Sequence, residues 1–335
     1  MAVNNFLPFA GGAGANVLTQ DAYLALSSLR SNGFSAGTAQ SAQLNKVWRQ
    51  ASIMAAVIGQ LIVDSTGLDA LDDGSTAALV ANLKASIKAQ SNGVVGTSRN
   101  VVMSVAAESA SATLTADEVI VESALGVLAY RLANVNRTIN LGTIGAGGMD
   151  TGTAPANGFV GIYLIYNPVS GASALLAVNA TSVAAPSIYG GANMPSGYTA
   201  SALVSVAPIS VIAGQFAPFL QIDRAVDYAG ISVLTGSSAV TANTPRTSTG
   251  IPLNAKAVSG FNQIGSALAS AVSQQLCSTS NNALGGQFNT QNVAAGSSCA
   301  IPFRLILSVP QTIYQTSANS AGTPSFTISV KNYEF

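Results

Sequence analysis

The chain changes period at Ser91-Asn92-Gly93. Before that point apolar residues recur at helical spacing and Pro8 is the only proline. After it they alternate, and every other proline falls between Pro155 and Pro324. Proline in a helix interior removes a hydrogen bond and clashes with the preceding turn, whereas strand edges and turns accept it. The chain therefore reads as α+β: a small N-terminal helical module followed by a mainly antiparallel β-sandwich module. Residues 1–92 form the helical attachment and oligomerisation module in this reading. Residues 93–150 form a β-rich connecting region and 151–335 a distal β-sandwich domain, with the Gly/Ala/Thr-rich loop at 142–157 as their boundary.

Three helices are predicted in the first module. The first starts from Thr19 as N-cap, runs to about Ser31 and is ended by Gly33. The third starts at Ser75, after Asp72-Asp73-Gly74, and ends near Gln90, with Leu79, Val80, Leu83 and Ile87 on one face. Lys84 and Lys88 sit near its C-terminus, where the helix dipole favours cations.

The middle helix, from Ser41 to about Val63, is the most regular feature. Leu44, Trp48, Ala51, Ala55, Ile58 and Ile62 step by four and three alternately, and Val47, Met54 and Leu61 add a third apolar position per heptad. A seam widened in this way suits a helix with more than one packing partner. Two uses stay open: a core helix in a three-helix unit, or an oligomer axis with these nine residues at its centre. Ahead of it, Phe6, Leu7 and Phe9 precede a Gly-rich run and read as hydrophobic anchors on a flexible arm that docks onto another protein. Gly12-Ala13-Gly14 lacks the preceding strand and the acidic partner of a dinucleotide fingerprint.

The second module carries many short alternating runs separated by Pro, Gly and Asn, the pattern of a sandwich or barrel. Strands are predicted at 101–105, 112–123, 128–133, 174–178, 200–206, 215–225, 231–235, 256–264, 303–309 and 326–332. The run 159–166 is apolar on both faces, so it should be buried on both sides. No repeat of 20 to 50 residues is present, which argues against a propeller or solenoid.

Charged residues make up 8% of the 335 residues, against a usual share of about a quarter. The hydrophobic share is 48% and mean hydropathy is +0.41, so the positive hydropathy reflects missing charge. Such a surface is poorly defended against association. Formal net charge is zero and there is no basic block, which argues against nucleic-acid binding. The most apolar helical stretch, 53–63, is far shorter than the roughly 20 residues a bilayer requires. Met1 to Phe6 carries no basic residue, so a cleaved signal peptide is not expected.

Histidine is absent, which removes the commonest general base and metal ligand. No cofactor or metal is implied, and the enzyme reading is not favoured. After residue 150 the only acids are Asp223, Asp227 and Glu334. On one strand Asp223 and Asp227 would stand about 13 Å apart, beyond the roughly 5 to 9.5 Å of glycosidase pairs, so turn residues with local ion pairs are the simpler reading. Asp69, Asp72 and Asp73 lack the DxDxDG order of a calcium loop and suit helix capping. Tyr189, Tyr198, Tyr228 and Tyr314 are candidates for stacking on sugars or for sheet packing. Cys277 and Cys299 lie in Ser- and Asn-rich, loop-like surroundings and admit either two free thiols or one disulfide.

Several stretches carry a family resemblance. These are the Phe-Leu-Pro-Phe-Ala start, residues 14–18 (GANVL), 42–50 (AQLNKVWRQ), 67–74 (GLDALDDG), 140–152 (NLGTIGAGGMDTG), 165–168 (IYNP) and 189–206 (YGGANMPSGYTASALVSV). Together they resemble tail-fibre and receptor-binding proteins of tailed bacteriophages and prophages; residues 236–300 lie outside the resemblance. It implies a virion structural protein, located in the tail, attached to tail or baseplate proteins through its N-terminal part. Its β-rich C-terminal part would reach a host-surface glycan or protein, and the assembly would be a homotrimer. Two other readings stay open. One is a fibre that cleaves a surface glycan with Asp223, Asp227 or Glu334 paired across chains; the other is a bacterial surface adhesin.

Overall fold

Thr19 and Gly33 bracket the first helical stretch as their residue types require. Thr19 Oγ1 accepts from the Ala22 N–H at 3.2 Å, and Gly33 (φ 77°) donates to the Leu29 carbonyl at 2.9 Å. The stretch between them is two short helices rather than one, α1 (Gln20–Ala25) and α2 (Ser27–Asn32), because Leu26 leaves helical geometry at ψ 63°. The computed structural model describes residues 2–89, 93–281 and 284–335. The expected break at Ser91-Asn92 and the expected helix end near Gln90 lie outside them.

α3 (Ser41–Thr66) runs one turn beyond the expected end near Val63. Gly67 stops it in the left-handed conformation (φ 70°), donating to the Val63 carbonyl at 3.0 Å. The added turn is fixed by hydroxyls. Ser65 and Thr66 donate back to the Leu61 and Ile62 carbonyls, and Ser65 is 2.6 Å from Ser86 Oγ on α4 (Thr76–Ala89). Asp73 Oδ1 accepts from the Ser75 N–H at 2.8 Å just ahead of α4, as the capping reading of that acid has it.

Strands fill the second unit. β1 (Ser98–Arg99) and β2 (Val102–Val105) lead into the long hairpin of β3 (Ser111–Glu122) and β4 (Ala129–Asn140). β5 (Gly148–Met149), β6 (Phe159–Tyr166), β7 (Ser173–Asn179) and β8 (Ala200–Pro208) follow. Then come β9 (Phe219–Ile222), β10 (Ala225–Gly236), β11 (Thr244–Thr247), β12 (Ala257–Ser266) and β13 (Ser270–Cys277). β14 (Gln287–Val293), β15 (Ser297–Ile306), β16 (Thr312–Asn319) and β17 (Pro324–Glu334) complete it. Thirteen strands form one sheet along the path β15-β12-β17-β10-β9-β2-β3-β8-β6-β7-β5, with β1 and β4 branching from β3. The other four form a sheet of order β11-β16-β13-β14. Pairing is antiparallel except for β5 with β7. The architecture is thus α+β with a β-sandwich, as the change of period implies.

The chain divides into two compact units, 1–92 and 93–335. The expected boundary near 150 does not separate compact units. β2 and β3, from the expected connecting region, pair with β9 and β8 in the same sheet. The expected strand at 215–225 is interrupted: Ile222 pairs with Ala225, so Asp223 and Arg224 make a two-residue turn with Asp223 at φ 51°. The strands β11, β13, β14 and β16 were not predicted.

The core follows from the sequence more closely. β6 is buried from Phe159 to Ile165, between β7 and β8, as its two apolar faces require. Tyr333 of β17 is fully buried and packs edge-on against Phe159 of β6 (ring centroids 6.0 Å) and Tyr228 of β10 (5.3 Å). Its hydroxyl donates to the Val206 carbonyl of β8 at 2.5 Å. The large sheet therefore folds so that β17 faces β6 and β8. At the other end β12 passes into β13 and changes sheet, closing a sandwich around Ile264, Val272, Val293 and Phe326, with Leu234 packed alongside.

Candidate functional site

The arm ahead of the helices, expected to be flexible, lies on the unit's own α3. Asn4 forms a parallel bridge with Ala70, and its side-chain N–H donates to the Ala56 carbonyl at 2.9 Å. The Asn4 side chain fills the space where a Cβ on Gly59 would stand. A glycine inside a helix costs about 1 kcal/mol relative to alanine, and this close approach is what it permits. Further along, the Phe9 N–H donates to Ser52 Oγ at 2.8 Å, and its ring meets Trp48 edge-on at 5.7 Å. Phe6 lines an apolar groove of about 250 Å³ with Ile58, Ile62, Leu79 and Leu83. Leu7 is 76% exposed.

The nine expected seam residues of α3 divide. Ile62 is buried; Leu44, Val47, Ala55 and Leu61 are half-buried; Trp48, Ala51, Met54 and Ile58 are exposed. Both proposed uses of the helix draw on this division, since Ile62 serves the unit's own core and the exposed members do not. At 100° per residue, Val47, Ala51, Met54, Val57, Ile58 and Leu61 share an arc of about 120°. Met54 and Val57 on it are 59% and 57% exposed. No charged residue occurs between Arg49 and Asp64, so the arc has no charged rim along that length, and exposed Gln50 is the polar residue within it.

Each of the three late carboxylates has a partner close by. Asp223 Oδ1 accepts from the Val101 N–H at 3.1 Å, and Asp227 Oδ1 accepts from Asn332 Nδ2 at 2.7 Å. Glu334 takes a two-pronged pair of hydrogen bonds from Arg304, both 2.7 Å, and that partner holds its carboxyl below the usual value. Asp69 Oδ1 accepts from the Val3 N–H at 2.7 Å. Among the described residues no cluster of three or more His, Cys, Asp or Glu is placed to hold a metal ion. No helix among them is long and apolar enough to cross a membrane.

Cys277 and Cys299 both remain thiols. Neither lies in a loop: Cys277 ends β13, where burial pushes its thiol up, and Cys299 pairs with Ile264 from within β15. Asn289, whose side chain reaches the Cys299 carbonyl, sits opposite Gln274, three residues before Cys277. At about 3.3 Å per residue that places the two cysteines about 10 Å apart along the strands, beyond disulfide reach. The tyrosines serve as packing. Tyr189 is buried against Tyr163 and donates to Asp150 at 3.0 Å, Tyr228 donates to the Gly250 carbonyl at 3.0 Å, and Tyr198 and Tyr314 are half-buried.

Sequence reasoning passed over a cavity of about 400 Å³ in the β unit, lined by Arg224, Lys256, Asn254, Ser187 and Phe335 among others. Its two cations and Phe335 stand at the ends of three neighbouring strands. Glu334 of β17 pairs with both Ala225 of β10 and Ala257 of β12, so Arg224 and Lys256 flank Phe335 on either side. Arg224 donates to the Gly96 carbonyl at 2.9 Å, and its guanidinium lies 4.9 Å from the centre of the Phe335 ring. Asn254 closes another wall through paired hydrogen bonds with the Ala185 backbone, 2.9 and 2.7 Å. No sequence signal could have found this site, because its two cations stand far apart in the chain and meet only through strand order. No protein-family model matches the chain, and no curated protein matches it.

Proposed function

We propose that the protein is a bacteriophage tail fibre or tail-associated structural protein. Its helical unit attaches to the tail or baseplate and gathers three copies, and its β unit is presented to the host surface. The observation that carries this is the uncharged arc of α3, on which the apolar Ala51, Met54, Val57 and Ile58 are exposed. Its occupants are the same arc of two further copies, since a neutral surface has no charge to match to a different partner and three apolar positions per heptad suit several like neighbours. Burying that surface at about 25 cal/mol per Å² offsets the entropy lost on association. Phe6, Leu7 and Phe9 mark the attachment end. The local hydrogen bonding of Asp223, Asp227 and Glu334 favours recognition over glycan cleavage, so a surface polysaccharide keeps its viscosity on incubation with the protein. Gold-labelled antibody against the β unit tests the whole reading on purified particles of the virus or prophage that encodes the chain. Label at the tail supports it, and particles free of the protein refute it.

A further inference from the structure

We propose that the cavity beside Phe335 binds the carboxylate of an acidic sugar, with Arg224 and Lys256 as its two cationic walls. This deepens the receptor-binding reading and rests on it. Several observations converge on the site. The backbones of Arg224 and Lys256 stand on either side of Phe335, about 10 Å apart at about 4.8 Å between strands, and both side chains line the one cavity. Among the described residues no acidic side chain lines the cavity. The described residues hold two ion pairs, Arg131 with Glu118 and Arg304 with Glu334, so neither cation is within 4.0 Å of a carboxylate oxygen. In a chain with thirteen basic and thirteen acidic residues, two unmatched cations on one cavity are a local imbalance.

Arg224 is held ready for such a ligand. Its guanidinium is largely withdrawn from water, and burial alone pulls its pKa below the ordinary arginine value, with no anion acting in the other direction. A buried cation without a counter-ion is unfavourable, and a carboxylate relieves that cost. Among the described residues one of its N–H groups is taken, by the Gly96 carbonyl, and its guanidinium carbon lies 4.9 Å from the centre of the Phe335 ring. A planar fork suits a carboxylate. Lys256 is exposed, and its side chain makes no hydrogen bond or ion pair with the described residues, so it meets the ligand at the mouth. Asn254, Ser187 and exposed backbone offer the neutral hydrogen-bonding groups that sugar hydroxyls need, and about 400 Å³ is within the range of small-ligand sites.

The test is calorimetric titration of the intact protein with a short oligogalacturonate and with the same oligomer methyl-esterified, which keeps the shape and removes the charge. The site predicts binding of the acid form that falls at least tenfold on esterification and at least tenfold in Lys256→Glu. Equal binding of acid and ester, no binding of the acid at millimolar concentration, or an unchanged Lys256→Glu affinity overturns it. Displacement by inorganic phosphate at lower concentration than the sugar acid assigns the site to a phosphate and overturns it too. Coating of host cells by fluorescently labelled protein is read separately. Equal coating by wild type and Lys256→Glu overturns the pocket as the receptor site and leaves the receptor reading. Sugar-acid binding without any coating leaves the pocket and removes the receptor reading.

Discussion

Amides, rather than aliphatic side chains, fill much of the space between the two sheets. Asn262, Gln274, Asn289 and Gln315 are all essentially buried. Asn289 Nδ2 donates to the carbonyls of Asn262 (2.8 Å) and Cys299 (3.1 Å), and Asn262 Nδ2 donates to the Gln274 carbonyl at 3.2 Å. Turned so that its oxygen faces Arg246, the Gln315 amide accepts from that guanidinium at 3.0 and 3.2 Å. This explains why β11, β13, β14 and β16 were invisible in the sequence. Apolar alternation is broken there because Gln274, Asn289, Gln315 and Ser317 take inward positions among Val272, Leu276, Val293 and Ile313. Asn289→Ala removes donors from two buried carbonyls and should cost about 1–3 kcal/mol, read from the urea unfolding midpoint. Gly260 is constrained differently. A Cβ there would stand 1.8 Å from the Ser329 carbonyl oxygen, at the irregularity where β12 meets β17. Neither backbone can yield cheaply, so Gly260→Ala should lose at least as much, about 1–3 kcal/mol, by the same assay.

Among the elements, α3 was the most legible. Its period and its N-terminal boundary follow from residue types that act locally, and so do Thr19 and Gly33 around the first helical stretch; its end did not, because the Ser65 and Thr66 hydroxyls carry it past Val63 to Gly67. The docking of the arm was not legible. It depends on contacts that have no periodic signature, Phe9 with Ser52 and Trp48 and, among them, the fit of Asn4 against Gly59. That fit makes a reversed prediction for a helix glycine. Gly59→Ala should gain helix propensity, about 1 kcal/mol, yet release the arm, because the added methyl takes the place of the Asn4 side chain. Trp48 is the only tryptophan in the chain and touches Phe9, so its emission reports the event directly. The variant should shift Trp48 emission to the red; unchanged emission would mean that the arm stays down without this contact. The two-residue turn at Asp223-Arg224 shows the same limit from the other side. A run of residues compatible with a strand bends where Asp223 takes a positive φ and caps Val101, and that bend is what brings Arg224 to the cavity.

For the molecule as a whole, the division into a helical and a β unit was readable because period and proline use change together. The order of strands was not, since β17 pairs with β10 and β12 across long intervening segments, and a sequence carries no local record of such pairing. The core built by that order also sets a pH response. Burial raises the phenols of Tyr130, Tyr163, Tyr228 and Tyr333 above the ordinary value of 10.0. In the unfolded chain they ionise near that value; in the folded chain they do so only at higher pH. Their contribution to stability is therefore complete below pH 10 and is lost as pH rises above it. The urea midpoint should hold steady from pH 7 to about 9 and fall beyond about pH 10, and Tyr228→Phe should lessen the fall.

The central claim concerns association. Met54→Glu places a charge in the middle of the exposed arc of α3 without touching the unit's buried contacts, and it should yield monomers that keep their helical content. The most direct measurement is the mass of the intact wild-type protein in solution, by sedimentation velocity at micromolar concentration. A species three times the 33.5 kDa of the chain is the predicted result. A stable monomer at that concentration would contradict it.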